Sequence, residues 1–286
     1  MCIRDSRSIV ERRLAAKKAK DSVTADALKI TINGGFGKLG SKWSVLYAPA
    51  LFLQVTLTGQ LALLMLIECL EKHGIPVVSA NTDGVVIKCP VAKAPEMAVI
   101  VDWWECVTGF DTEATEYAAI YSRDVNNYIA IKAGGGVKTK GTYAKTSLSK
   151  SPANEVCTDA VVAFLARGTP IEQTIRDCQD IRKFVTIRTV KGGARWKGQY
   201  LGRVVRWYYG RGETGCIEYK SSSYKVARSE GARACMALPA EFPADVDVDW
   251  YIRESTEMLN DLGVSHDYFL SPPQASLWPA LALEPA

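Results

Sequence analysis

The apolar and polar positions change period along the chain, and each change marks an element. Residues 8–20, SIVERRLAAKKAK, contain good helix formers without Gly or Pro and carry Arg12, Arg13, Lys17, Lys18 and Lys20, which predicts a short cationic helix. Asp21, Ser22 and Thr24 have capping chemistry, and TADALKITI then predicts a second helix ending in the glycine cluster Gly34, Gly35, Gly37 and Gly40. The pair reads as an antiparallel helical hairpin. Residues 50–73 place apolar side chains at helical spacing and stop at Gly74 and Pro76, the mark of one long core helix. VVSA and VVIKC flank Asn81-Thr82-Asp83-Gly84, so two β-branched strands close on an Asp-Gly hairpin turn. An amphipathic segment at about 95–108 precedes the strand-like runs EYAAIYS, NNYIAIK and GVKTKGTY, and a mixed α+β core spans about 38–143.

Beyond Ser147 the texture changes. SLSKSP reads as a polar hinge, and NEVCTDAVVAFLARG and PIEQTIRDCQDIRKFV both have helical period, so a separate, helix-rich domain is expected. It also holds the basic, aromatic run RWKGQYLGRVVRWYYGRG, read as a strand pair, and a last helix at 249–262. From Ser271 the proline-bearing tail has no period and is expected to fray.

Composition narrows the function classes. A length of 286 residues and a 48% hydrophobic fraction allow two domains with buried cores. The net charge of +4 is too small to identify a partner, so only local clustering of cations is informative. The longest uninterrupted apolar run, residues 61–67, is far shorter than the roughly 20 residues of a membrane span, and no membrane association is expected. Eight cysteines without a CxxC pair, and two histidines, support neither a zinc ribbon nor a disulfide framework. MCIRDS has no apolar segment after it and is not a signal peptide. It matches the translation of a transposase library adapter, so residues 1–6 are expected to be a sequencing scar on a chain truncated at its N-terminus.

Three constellations carry chemistry. Lys29 and Asn33 share a helix face, with Phe36 a turn further and Gly37 leaving room for a bulky partner. Arg13 and Lys17, also four apart, could converge with Lys29 on a polyphosphate. Solvated helix faces have the same spacing. Asp83 on a rigid turn suits a hard cation such as Mg²⁺, although Asp-Gly is also what a tight turn requires. Arg123, Tyr128, Lys138 and Lys140 on neighbouring strands could track a nucleic-acid backbone, and lysines equally protect an edge strand.

The order of these features resembles the C-terminal half of the polymerase module of family B DNA polymerases, phage-type ones in particular, over about residues 8–143 and loosely beyond. Lys29, Asn33, Phe36 and Gly37 match that family's KxxxNSxYG helix, where the Lys contacts the incoming triphosphate and the aromatic lies near the nascent base pair. Arg13 and Lys17 match its other fingers helix. Asn81-Thr82-Asp83-Gly84 matches the DTDS turn, with Asn and Gly replacing the first Asp and the Ser and the metal-binding Asp retained as Asp83. Asn127 and Tyr128 match the KKxY segment that grips primer-template, and Lys138, Lys140 and Gly141 its TKG segment.

The resemblance implies fingers at 7–37, the C-terminal part of the palm at 38–144, and a mostly helical thumb with tail at 145–286. It also implies transfer from deoxynucleoside triphosphates to a primer 3′ hydroxyl on primer-template DNA, with two Mg²⁺ ions, in a bacterial cytoplasm as a phage-encoded enzyme. Nothing in the chain matches the family's upstream DxxSLYPS carboxylate motif, so the chain alone is expected to be inactive. The alternative is a non-catalytic, sequence-independent nucleic-acid-binding module using its basic strands and the aromatic run from Arg195 to Arg211.

Overall fold

A computed structural model describes residues 3–145, 151–222, 224–265 and 280–285. The first part is α+β, as the periods predict. Helices α1 (Ile3–Lys18) and α2 (Ser22–Leu39) form the antiparallel hairpin, joined by a turn in which Asp21 caps α2 by accepting a hydrogen bond from the Thr24 amide. Gly34, Gly35 and Gly37 lie inside α2 rather than ending it, and the cap is Gly40. A helix tolerates such glycines at about 1 kcal/mol each relative to Ala, so a cluster of them is not a stop.

Helix α3 (Pro49–Lys72) is not the fully buried core helix its period suggests. Leu66 and Leu70 are buried, while Leu51, Leu53, Leu57 and Leu61 are exposed. Its length and composition suffice to cross a bilayer when the whole helix is counted instead of its longest apolar run. Its C-terminal half instead packs on α4 (Ala94–Thr108) and on the hairpin of β1 (Val77–Asn81) and β2 (Gly84–Lys88). The core there contains Leu66, Leu70, Ile75, Val85, Ile87 and Trp104.

Strands β3 (Thr112–Asp124), β4 (Asn127–Lys132) and β5 (Val137–Lys140) follow as an antiparallel meander. The tail departs from its expected fraying. Ala280–Pro285 forms strand β10, antiparallel to both β2 and β3, which gives the sheet order β1-β2-β10-β3-β4-β5. The expected hinge lies largely outside the described residues.

The later region combines α5 (Glu155–Arg167), α6 (Ile171–Arg176) and α7 (Val248–Asp261) with a second sheet. That sheet consists of β6 (Thr186–Trp196), β7 (Gln199–Tyr209), β8 (Ile217–Tyr219) and β9 (Ala232–Ala234), in the order β8-β6-β7-β9. The expected mostly helical composition is thus replaced by helices on a four-stranded sheet. Two features conceal the sheet in the sequence: β8 and β9 are only three residues long, and a register irregularity between Thr189 and Ala194 breaks the period of two. Its core is continuous with Ile129 and Tyr143 of the first part.

Tyr251 organises that core. It is fully buried, and its hydroxyl donates to the Phe184 carbonyl at 2.7 Å and accepts from the Tyr209 amide at 2.9 Å. Tyr251→Phe leaves a buried carbonyl and a buried amide without partners, and is expected to lower unfolding free energy by about 1–3 kcal/mol. Urea denaturation of the two proteins, with unchanged slope and a lower midpoint, checks this.

Candidate functional site

The helical hairpin and the end of the six-stranded sheet enclose an open cleft of about 760 Å³. Arg13 and Lys17 of α1, Lys20 of the turn, and Lys29 and Asn33 of α2 line its helical wall, while Asp83 and Glu113 line the sheet wall. Segments distant in sequence therefore meet at one cleft. Asp21 and Asp26 also border the helical wall. The Asp21 carboxyl is held below its ordinary range by hydrogen bonds from Thr24, chiefly through its side chain, in its role as helix cap.

The sheet wall is rigidly supported. Val85 and Ile87 are buried against α3 and α4, and Trp104 Nε1 donates to the Ala62 carbonyl at 2.7 Å, pinning the two helices together. Beneath Asp83 lies a smaller apolar cavity of about 160 Å³ lined by Leu63, Leu66, Val85, Trp104 and Phe110. Asp83 thus stands where an apolar floor meets the polar cleft. The turn that carries it places Thr82 at φ 42°, a left-handed conformation rare for a β-branched residue. Thr82 Oγ1 donates to Asn81 Oδ1 at 3.0 Å, and Asn81 Nδ2 donates to Asn126 Oδ1, tying the turn to the β3–β4 connection.

Glu113 is the residue that the sequence reading missed. It sits at the start of β3, where Glu105 accepts hydrogen bonds from the Thr112 amide and hydroxyl at 2.6 and 2.7 Å. No local motif marks it; the crossover through α4 starts β3 at the same end of the sheet as β2, with β10 between them, and this brings it beside the Asp83 turn.

The remaining candidates divide. Phe36 does not line the cleft; its ring stacks on Phe52 of α3 at 4.8 Å. Gly37, also outside that lining, faces open space. Tyr128 pairs across the strands with Lys140, whose ammonium lies 5.8 Å from the ring centre, and Lys138 occupies the rung opposite Ala130. Asn127 is occupied within the protein: its Nδ2 donates to both Asp124 oxygens, and its Oδ1 accepts from the Thr142 amide and hydroxyl. Gly141, at φ 66°, is required by packing, since a Cβ there would lie 2.2 Å from the Asn126 carbonyl oxygen. In the aromatic run of the alternative reading, Trp207, Tyr208 and Tyr209 are buried in the core and offer no stacking surface.

No protein-family model matches the chain. It is 24% identical over 172 residues to "DNA polymerase 1" of Saccharolobus solfataricus, covering 59% of this chain and 19% of that protein. It is 28% identical over 148 residues to "DNA polymerase 1" of Aeropyrum pernix, covering 47% of this chain and 15% of that protein. The chain thus spans less than a fifth of the length of either relative.

The Asp124–Asn127 pair gives a test of the structural role. Hydrogen bonds from the Asn127 side chain, then from the Asn126 amide, hold the Asp124 carboxyl below its ordinary value. A carboxyl lowered by folding stabilises the native state above its unfolded pKa of about 3.9, and that contribution is lost as pH falls through the folded value. Asn127→Ala is expected to raise the Asp124 titration midpoint and weaken the acid-dependent part of stability. Carboxyl-detected NMR titration of both proteins reads this, and an unchanged midpoint refutes it. These partial likenesses support a relationship of the chain to DNA polymerases.

Proposed function

We propose that the chain is part of a family B, phage-type DNA-directed DNA polymerase. In this reading the α1–α2 hairpin is the fingers, the six-stranded sheet with α3 and α4 is the C-terminal part of the palm, and the region from about 145 is the thumb. One observation carries it: Arg13, Lys17, Lys29, Asn33 and Asp83, from separate segments, line one cleft. Cations on the helical wall suit the phosphates of a deoxynucleoside triphosphate, and carboxylates on the opposite wall suit a hard cation.

Among the described residues no group of three His, Cys, Asp or Glu side chains is placed to hold a metal. Mg²⁺ is commonly held by one or two carboxylates together with substrate phosphates, so Asp83 and Glu113 fit an ion that arrives with the nucleotide. Bound there, Mg²⁺ would supply charge neutralisation on the phosphates and activation of the attacking hydroxyl. Lys29, Arg13 and Lys17 orient the triphosphate and offset the charge that builds on its leaving pyrophosphate. Asn33 supplies a neutral hydrogen-bonding group on the same wall, while Phe36, stacked on Phe52, and Gly37 lie outside the cleft lining, so a part for them at the nascent base pair rests on the resemblance alone. Tyr128, Lys138 and Lys140 face the primer-template, with Asn127 and Gly141 shaping the turn beside them. The full reaction belongs to a polymerase that also carries the second catalytic carboxylate, acting in a bacterial cytoplasm.

Titration with a fluorescent deoxynucleoside triphosphate tests the cleft. Lys29→Ala is expected to weaken binding ten- to a hundredfold, as loss of one charge-assisted hydrogen bond of about 1.5–3 kcal/mol implies. Asp83→Asn should remove the Mg²⁺-dependent part of the affinity and leave the Mg²⁺-free part. Glu113→Gln shares that signature if both carboxylates serve the ion. Wild-type binding by both Lys29→Ala and Asp83→Asn overturns the reading, and primer extension by the 286-residue chain alone overturns the need for a second carboxylate.

A further inference from the structure

The apolar cavity beneath the Asp83 turn has no part in the chemistry of the cleft above it. It measures about 160 Å³ and is lined by Gly59, Leu63 and Leu66 of α3, Val85 of β2, Trp104 of α4 and Phe110 just beyond that helix. Leu66, Val85 and Trp104 are buried, and the Trp104 and Phe110 ring centres lie 5.7 Å apart with planes inclined by 32°. These walls belong to the core that holds α3, α4 and the β1–β2 hairpin together, so the cavity has fixed sides. On the α3 side Gly59 contributes no side chain, and a Cβ there would meet nothing within 4 Å.

The polar side chains around the cavity are committed elsewhere, with one exception. Trp104 Nε1 donates to the Ala62 carbonyl, Thr112 Oγ1 to Glu105 and Thr82 Oγ1 to Asn81. The Asp83 carboxylate takes part in no hydrogen bond or ion pair among the described residues. An apolar chamber with one unpaired anion at its rim has the make-up of a small-molecule site, in which apolar walls hold the ligand and a few polar groups select it.

We propose that this cavity binds a small molecule made of one six-membered aromatic ring and a short arm ending in an ammonium group. An apolar protein cavity of about 150 Å³ stays dry and takes up benzene. The one here is of that size, which admits a single ring and excludes a nucleoside. Burial of the ring supplies the affinity, since apolar surface leaves water for a chamber that holds none. The Asp83 carboxylate supplies the preference for a cation over a neutral or anionic arm. The ligand is thus opposite in charge to the triphosphate assigned to the neighbouring cleft. Asp83 borders both spaces, so where it holds Mg²⁺ as proposed above, amine and metal exclude each other.

Fluorine NMR titration of the 286-residue chain with 4-fluorobenzylamine and with its neutral counterpart 4-fluorobenzyl alcohol tests this site. The titration is run without Mg²⁺, so its failure is distinct from a failure of the metal reading. Both ligands are expected to saturate, the amine about fivefold more tightly, the upper range for an ion pair open to solvent. Asp83→Asn should erase that difference and leave the affinity for the alcohol unchanged. Gly59→Leu fills the cavity while replacing a helix-interior glycine with a better helix former. It is expected to weaken both ligands by about tenfold through loss of ring burial. Leu63→Phe fills the same space from the next turn of α3 and keeps the test decisive if Gly59→Leu disturbs the fold. The proposal is overturned by an absence of saturable binding to the wild type, by wild-type affinity in both filled variants, or by a preference for the amine that survives Asp83→Asn.

Discussion

Val85 and Ile87 are withdrawn from solvent against Leu66, Leu70 and Trp104, and this burial decides which way the 81–84 turn faces. A strand's side chains alternate between faces, so a slip of one residue would expose both and redirect the tip. The candidate site follows from that constraint. Asp83 reaches the cleft because the strands on both sides of its turn are anchored, and the clamp of Glu105 on Thr112 brings Glu113 to the same wall. The strained Thr82 is tolerated because its neighbours hold the turn from two directions.

The helical wall is built differently. Ala16 and Ala25 are its buried side chains, and α2 contains three glycines within its length. Small side chains allow the two helices to approach closely but bury little apolar surface, so the α1–α2 hairpin gains little from hydrophobic packing. Its long cationic side chains extend into the cleft. A phosphate ligand would add the attraction that packing does not supply, and a weakly packed wall opposite a firmly packed one suits a site that encloses a flexible polyanion. The acidic wall cannot be replaced by more cations, because a metal-bound triphosphate presents both signs of charge.

The elements were mostly legible in the sequence, and the failures have physical causes. The i, i+4 pairs Arg13/Lys17 and Lys29/Asn33 could be read because helical spacing is local. Glu113 could not, because its proximity to Asp83 arises from sheet topology. The glycines of α2 look like a stop although helix geometry accommodates them. Asn127 and Gly141 occupy the expected place, yet the Asn127 amide is saturated by Asp124 and Thr142, and Gly141 exists to avoid Asn126. Sequence spacing locates such residues but does not distinguish a ligand contact from a structural one. Around Trp207 the consecutive aromatics Trp207, Tyr208 and Tyr209 alternate between faces and are all buried, so both faces of β7 are covered at that end, which a run of aromatics interleaved with arginines does not reveal.

Charge adds the last constraint. Opposite signs face each other across the cleft, whereas the second sheet and its loops, residues 186–228, hold ten Lys and Arg against two Glu. Balanced walls recognise a compact ligand that brings its own cation, while an unbalanced strip recognises an extended polyanion through the counterions it displaces. A protein that handles both a nucleoside triphosphate and a long nucleic acid needs these two electrostatic designs kept apart, because a uniformly basic surface would let the polymer's phosphates compete for the triphosphate's site. The modest total charge is the sum of a basic second sheet and an acidic remainder of the chain.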